Sequence, residues 1–234
     1  MNYQQLIELL KENGEEEYKA FTKKIVPEVD YNFGVRMPIL KKLAKSILKN
    51  SDMEELLNNL HKGESHEEKL IEGYLIASRN YENEEQIFDA IESYIERINN
   101  WALCDSFVTA LKKLSNKNKE AFFIKAKKYI KSQNPWEIRV GLIIFLDYFC
   151  NEAYLDKILE ELKNIKISHY YVKMGEAWLL SMLYFVDKAK IVDFLLHSGM
   201  DKWTVNKSFQ KIVESRKLDI NEKEFIKKMK KNVS

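Results

Sequence analysis

The stretch that decides the fold is "NPWEIRVGLIIFLDYF", residues 134–149. Asn134 is a typical helix N-cap, Pro135 suits the first turn, and the residues after them are apolar around nearly the whole helix. Such a helix has almost no polar face, so we expect it to be central and buried. Arg139 is the only cation in the helix body. It is expected to have an anionic partner, because burying an unpaired guanidinium is very costly.

Helices of similar length recur along the chain at a regular interval. The step between them is about 32–36 residues, with a shorter helix in each gap, and they begin near Ser65, Trp101, Pro135, His169 and Asp201. A period of this length is typical of helical hairpins that stack on their neighbours. The sequence therefore predicts an α-solenoid, a superhelix of helical hairpins with a concave face.

The composition supports an all-α protein. Of 234 residues, 45% are hydrophobic and 32% are charged, with only 7 Gly and 3 Pro. Few helix breakers indicate short loops, and no stretch alternates in the way that a strand does. Without a Gly-, Ser- or Pro-rich linker, we predict a single domain over residues 1–234. Further N-caps are predicted at Ser51, Asn100 and Asn116.

The charge and the absence of other motifs exclude several function classes. The formal net charge of +2 is too small for a dedicated nucleic-acid coat, so a polyanion would have to bind a local patch. The four histidines lack metal-site spacing, and no phosphate-binding glycine loop occurs, so we predict neither metal nor cofactor. No apolar run is long enough for a membrane span, and no secretion signal is visible. We therefore expect a cytoplasmic monomer without a membrane partner.

The stretch "NNWALCDSF", residues 99–107, places two unusual residues at a helix start. On a helical wheel, one apolar stripe is formed by Leu103, Cys104, Phe107, Val108 and Leu111. Trp101 and Asp105 lie off this stripe and are neighbours, since they are four residues apart. Both have structural explanations: Asp105 can stabilise the helix dipole, and Trp101 can pack against the preceding loop.

Two later helices of the same set carry related residues. Arg139 lies in the apolar helix, and "YYVKMGEAWLLSMLYF", residues 170–185, contains Trp178 one turn after Gly175. A tryptophan by itself is more often a core residue than a binding residue. In a solenoid, however, successive helices of one set line the same face, so Trp101, Asp105, Arg139 and Trp178 can converge there.

At these residues the sequence resembles the bacterial DNA alkylation repair glycosylases related to AlkD, which consist of HEAT-like helical repeats. The resemblance covers most of the chain. It is carried by "FGVRMPILKKLAK" (33–45), "NNWALCDSF" (99–107), "WEIRVGLIIF" (136–145) and "KMGEAWLLSMLYF" (173–185). The Trp-x-x-x-Asp spacing, in register with the later Arg and Trp, is its most specific part.

The resemblance implies an activity and a role for each residue. Asp105 corresponds to the catalytic aspartate, Trp101 and Trp178 to the aromatic pocket residues, and Arg139 to the arginine that contacts DNA. Lys173, beside them, is expected to contact the substrate DNA. The family removes N3- and N7-alkylated purines from duplex DNA, and the implied partner is therefore double-stranded DNA with alkylated bases.

The residue types suit this chemistry. When a cationic purine departs, it leaves an oxocarbenium-like sugar, which a carboxylate beside C1′ can stabilise while it positions a water. Aromatic faces attract positive charge, and an arginine can hold the adjacent phosphate. The cationic base is already a good leaving group, so no general acid is needed and a catalytic histidine is not required.

One alternative from another class stays open at this point. The near-neutral charge, together with Glu176, which would repel phosphate if it faced the DNA, favours a non-catalytic HEAT-repeat scaffold that binds nucleic acid or protein. The lysine runs "LKKLAK" (40–45), "LKKLSNKNK" (111–119) and "KAKKYIK" (125–131) are open to two interpretations. They are first of all solvated helix faces, and alternatively they line a groove and neutralise phosphates.

Overall fold

The computed structural model describes residues 1–49 and 53–231. Throughout these two ranges the chain forms fifteen α-helices and no β-strand. The predicted all-α class is therefore confirmed. Among the same residues, no helix has both the length and the apolar character that crossing a membrane requires.

The chain divides into two compact units, Met1–Asn118 and Lys119–Ser234. The first unit contains α1 to α8, which are Tyr3–Glu12, Glu16–Ile25, Met37–Ile47, Met53–Lys62, His66–Ser78, Glu84–Ile95, Trp101–Ala110 and Lys112–Lys117. The second unit contains α9 to α15, which are Lys119–Tyr129, Pro135–Tyr148, Glu152–Leu162, Tyr170–Leu183, Lys188–His197, Lys202–Glu214 and Ile220–Lys231. The single domain predicted over residues 1–234 stays a prediction.

In the first unit, α5 is the central helix. It packs against α3 on one side and α7 on the other, and α4 also contacts it. Its residues from His66 to Ala77 are buried except for Lys69. The predicted repeat accounts for this arrangement, since α5 and α7 begin one period apart and pack directly on each other.

In the second unit, α10 has the central position that its sequence predicts. It packs against α9 and α12, and α12 packs in turn against α14. Residues Ile138–Leu146 are all buried, which confirms that a helix apolar on every side lies in the core. Within this unit α10, α12 and α14 form consecutive layers, with shorter helices in the gaps, as expected for stacked helical hairpins.

Two of the predicted helix N-caps are confirmed. The side chain of Asn100 accepts a hydrogen bond from the backbone N–H of Leu103 at 3.0 Å. Asn134 accepts one from the N–H of Trp136 at 2.9 Å. These bonds satisfy donors that the first helical turn leaves without partners. The N-cap predicted at Ser51 lies outside the described residues.

The predicted N-cap at Asn116 is wrong. Helix α7 ends at Ala110, and Asn116 lies inside the short helix α8. Leu111 bends the chain between them with ψ near 0°, and both Leu111 and Leu114 are buried. At the end of α8, the side chain of Asn118 donates a hydrogen bond to the carbonyl oxygen of Leu114 at 2.9 Å.

The loop before α3 is held by a carboxylate from α5. Glu67 is 2% exposed, and its two oxygens accept hydrogen bonds from the backbone N–H groups of Phe33, Gly34 and Val35 at 2.9, 2.9 and 3.1 Å. Gly34 has φ of 83°, and an added Cβ would lie 2.4 Å from the carbonyl oxygen of Glu15. The glycine is therefore required where the loop turns into α3, and Glu67 fixes the starting position of that helix.

Candidate functional site

Helix α7 places its residues as the helical wheel predicts. The apolar stripe from Leu103 to Leu111 is buried, while Trp101 and Asp105 are partly exposed on the other side of the helix. Asn100 caps the helix immediately before Trp101. Trp101 and Asp105 therefore both project from the first turn and a half of α7, outside the core.

The indole of Trp101 is anchored to the end of α2. Its Nε1–H donates a hydrogen bond to the carbonyl oxygen of Ile25 at 3.2 Å, and Ile25 itself is exposed. Trp101 thus makes a contact 76 residues away in sequence, and its packing against the loop before α7 stays a prediction. This bond fixes the orientation of the ring, which leaves part of its surface accessible to a ligand.

Asp105 lines an open cleft of about 540 Å³. The cleft lies between α3, α5 and α7, and beside Asp105 it is lined by Lys41, Lys45, Tyr74 and Ser106, among others. Both lysines are exposed on α3. The carboxylate is therefore accessible, and the opposite wall of the cleft carries two positive charges.

Sequence reasoning did not single out Lys41 and Lys45. They lie in the run "LKKLAK", for which a solvated helix face was the first interpretation, and they are four residues apart on one side of α3. The ammonium of Lys41 also lies 5.8 Å from the centre of the Tyr74 ring. The four-residue spacing indicates that both lysines lie on one side of α3. Only the packing of α3 against α5 shows that this side lines the cleft of Asp105.

Arg139, in the second unit, is buried as expected, while the anionic partner expected from the sequence stays a prediction. It is 5% exposed, and its guanidinium donates a hydrogen bond to the carbonyl oxygen of Tyr171 at 2.7 Å. The guanidinium carbon lies 5.9 Å from the centre of the Tyr171 ring. A Cβ added at Gly175 would come within 3.6 Å of the same guanidinium. Arg139 therefore connects α10 to the first two turns of α12.

Trp178 lies on the side of α12 that faces Arg139. It follows Tyr171 by seven residues, which is close to two helical turns, so the two side chains share one face. Gly175 lies one turn before Trp178, and an added Cβ there would lie 3.1 Å from Leu142 Cδ1, so the glycine allows α10 to pack closely against α12. Trp178 is partly exposed. By helical spacing, Trp178 therefore shares a face of α12 with Tyr171, whose carbonyl oxygen bonds to Arg139.

Lys173 belongs to a different cluster. It is five residues from Trp178, which places the two about 140° apart around the helix. Its ammonium pairs with Asp201, with an N–O distance of 3.2 Å, and lies 5.8 Å from the centre of the Trp203 ring. Lys173 is thus separated from Trp178 and engaged by the N-cap of α14. The convergence that the sequence predicts for four side chains stays a prediction. These are Trp101, Asp105, Arg139 and Trp178.

Glu176 is on the same side of α12 as Lys173. It is 6% exposed, and burial raises its pKa to about 8, with a further increase from the Asp201 carboxylate that the Lys173 ammonium opposes. At neutral pH the side chain is therefore mainly a neutral carboxylic acid. A neutral Glu176 does not repel phosphate, which removes one of the two reasons to favour a non-catalytic scaffold.

Because folding raises the pKa of Glu176, this residue lowers the free energy of unfolding by an amount that increases with pH. In the unfolded chain the carboxyl ionises near pH 4.5, but in the folded protein it holds its proton to about pH 8. The unfolded state therefore binds fewer protons in this window, and stability falls as the pH rises through it. We expect Glu176→Gln to match the wild type near pH 4 and to be more stable by about 1–4 kcal/mol at pH 8.

Denaturant unfolding at several pH values measures this difference. The matched control is Glu214→Gln, which changes an exposed glutamate at the end of α14 and should leave the pH dependence unchanged. A wild type and a Glu176→Gln variant with parallel stability profiles from pH 4 to pH 8 would contradict the expectation.

Within the part of the chain that the structure describes, no group of three or more His, Cys, Asp or Glu side chains is placed to hold a metal ion. No curated protein and no solved structure matches the chain significantly. A family described as "DNA alkylation repair enzyme" matches residues 4–212, which is most of the sequence.

Proposed function

The chain belongs to the family of DNA alkylation repair enzymes, and from this premise we propose that it is a DNA glycosylase. Its substrates are N3- and N7-alkylated purines in duplex DNA, which carry a positive charge. Asp105 is the catalytic residue. It stabilises the oxocarbenium-like sugar and positions the attacking water.

The observation that supports this proposal best is the environment of Asp105. A carboxylate that serves only as a structural residue can be covered by other side chains, whereas Asp105 lines an open cleft of about 540 Å³. Lys41 and Lys45 on the opposite wall attract the polyanionic backbone of DNA toward the carboxylate. A carboxylate alone would repel that backbone, so the two lysines make the cleft compatible with DNA.

The proposed reaction needs no further proton donor. The C1′–N bond breaks, and its electron pair leaves with the purine, which changes from a cation to a neutral base. The Asp105 carboxylate stabilises the positive charge that develops on C1′ and the ring oxygen of the sugar. A water oxygen then bonds to C1′, and Asp105 or bulk solvent accepts the proton that it loses.

Other residues have supporting roles in this proposal. Trp101, fixed by its bond to Ile25, presents an aromatic face that attracts the cationic base or sugar. Trp178 and Arg139 of the second unit are proposed DNA contacts, with Arg139 acting also by holding α12 in place. Lys173 is a proposed phosphate contact, although its ion pair with Asp201 competes with that role.

The setting of the enzyme is part of the same proposal. The partner is double-stranded DNA that contains alkylated bases, and the protein acts as a monomer in the cytoplasm without a metal or cofactor. Neither Asp105 nor the residues around it require one for the reaction described above.

Release of methylated bases tests the proposed activity. Duplex DNA treated with a methylating agent is incubated with the protein, and 7-methylguanine and 3-methyladenine are quantified in the soluble fraction. We expect release well above that of a buffer control. A protein that binds this DNA but releases neither base would be a non-catalytic scaffold, and the proposed activity would be rejected.

A further inference from the structure

A second cavity, of about 320 Å³, lies in the second unit beside α12. It is bounded by the end of α11 and the loop after it, by the first turns of α12, and by the loop before α14. Its lining includes Lys163, Lys166, Ser168, Lys173, Glu176, Ser198 and Asp201. The cleft that contains Asp105 belongs to the first unit, so this cavity is a separate feature.

Glu176 is the buried polar group of this cavity. Its side chain is only 6% exposed. The carboxyl group lines the cavity and is therefore placed to bond to a ligand there.

Two of the three lysines around the cavity are already neutralised. Lys173 pairs with Asp201, and Lys163 pairs with Glu160 at 2.7 Å. Lys166 donates a hydrogen bond to the carbonyl oxygen of Lys163 at 3.2 Å and makes no ion pair in the described part of the chain. The cavity is therefore left with one uncompensated positive charge.

The rest of the wall suits a small oxygen-rich group. Ser168 and Ser198 contribute hydroxyls, and Gly199 adopts φ of 74° with open space around its α carbon. Hydroxyls donate to phosphate oxygens, and a glycine allows a close approach to the backbone. Because the uncompensated charge is a single one, a monoanion balances it and a dianion exceeds it.

We propose that this cavity binds one phosphodiester group, with the Glu176 carboxylic acid donating a hydrogen bond to a phosphate oxygen and Lys166 supplying the balancing charge. The chemistry is that of any phosphodiester monoanion. That the group comes from the backbone of bound DNA rests on the proposed function, whereas recognition of the phosphodiester itself does not.

This mode of binding depends on the proton of Glu176. The groups that face it are Lys173 on its own helix, Asp201 before α14, and Lys163 and Lys166 after α11. Hydrogen bonds from Thr204 and Lys173 outweigh burial and lower the pKa of Asp201, so that it is ionised throughout the range in which Glu176 titrates. Ionised Glu176 loses its donor and repels the anion, and affinity therefore falls as the pH rises past about 8.

Dimethyl phosphate, a monoanion at every pH of interest, tests the cavity without DNA. Its binding is followed by NMR shifts of backbone amides at constant ionic strength. For the wild type we expect the affinity to fall about tenfold from pH 7 to pH 9, as linkage to one proton requires. Glu176→Gln keeps a donor without titrating, so its affinity should not change with pH, and Glu176→Ala should bind several-fold more weakly at pH 7.

Undamaged duplex DNA tests the source of the phosphodiester. Lys166→Met should weaken binding and reduce the slope of log affinity against log salt by about one unit, as for a lost phosphate contact. Lys62→Met is the matched control, since Lys62 is an exposed lysine in the last turn of α4, far from the cavity in sequence and in the other unit. Melting curves establish that each variant is folded.

The outcomes separate this inference from the proposed activity. No binding of dimethyl phosphate, or the same pH dependence in the wild type and Glu176→Gln, would overturn the phosphodiester site. The expected pH profile together with unchanged DNA binding by Lys166→Met would overturn the DNA backbone as the source. Neither result depends on base release, which is measured independently on methylated DNA.

Discussion

Replacing Asp105 with asparagine is expected to reduce release of 7-methylguanine and 3-methyladenine at least about 10²–10³-fold. The amide has nearly the shape of the carboxylate but carries no negative charge, so it cannot stabilise the positive sugar or accept the proton of the water. Single-turnover release from methylated duplex DNA measures the effect on the chemical step.

The same substitution should leave DNA binding intact. Asp105 faces Lys41 and Lys45 across the cleft, and removal of a negative charge beside two lysines can only favour a polyanion. We therefore expect equal or slightly tighter binding of undamaged duplex in an anisotropy assay. The combination of lost release and retained binding is the signature of a catalytic carboxylate.

The matched control is Asp89→Asn, which changes an exposed aspartate on α6 in the same unit. It should release both bases at the wild-type rate. If Asp105→Asn also released them at that rate, Asp105 would not be the catalytic residue. If Asp105→Asn lost binding together with release, the carboxylate would have a structural role instead.

Much of the fold follows from patterns within single helices. The apolar residues of α10 cover every side of that helix, and α10 is in fact buried along Ile138–Leu146. In α7, the predicted stripe separates buried residues from the partly exposed Trp101 and Asp105. These properties depend on the 3.6-residue period of a helix, which a sequence shows directly.

Other features depend on which helices become neighbours, and they were not predicted. Lys41 lines the same cleft as Asp105 because α3 and α7 both pack against α5. Lys173 meets Asp201, 28 residues further along the chain, and is thereby directed away from Trp178. The bend at Leu111 is likewise invisible in the pattern, since Leu111 and Leu114 are three residues apart and would share one face of a straight helix as well. A local sequence pattern shows on which face of its helix a residue lies, but it does not identify the residue of another helix that it contacts.

Glu67→Ala is expected to have the largest effect on stability, lowering the free energy of unfolding by about 3–5 kcal/mol. Glu67 is 2% exposed and accepts three hydrogen bonds from the loop of residues 33–35. Bonds to an ionised acceptor are among the stronger ones in proteins. Alanine would leave all three N–H groups without this acceptor and would also leave a space beside the loop. Denaturant unfolding with a two-state fit measures the loss.

The effect should extend from the loop to the candidate active site. The loop leads directly into α3, whose Lys41 and Lys45 line the cleft of Asp105, so a displaced α3 would also weaken DNA binding. Glu67→Gln retains one acceptor oxygen and should lose clearly less stability than Glu67→Ala. Glu55→Ala, at an exposed position of α4, is the surface control and should have little effect. A loss below about 1 kcal/mol for Glu67→Ala would mean that water replaces the carboxylate, and that the loop does not depend on α5 for its conformation.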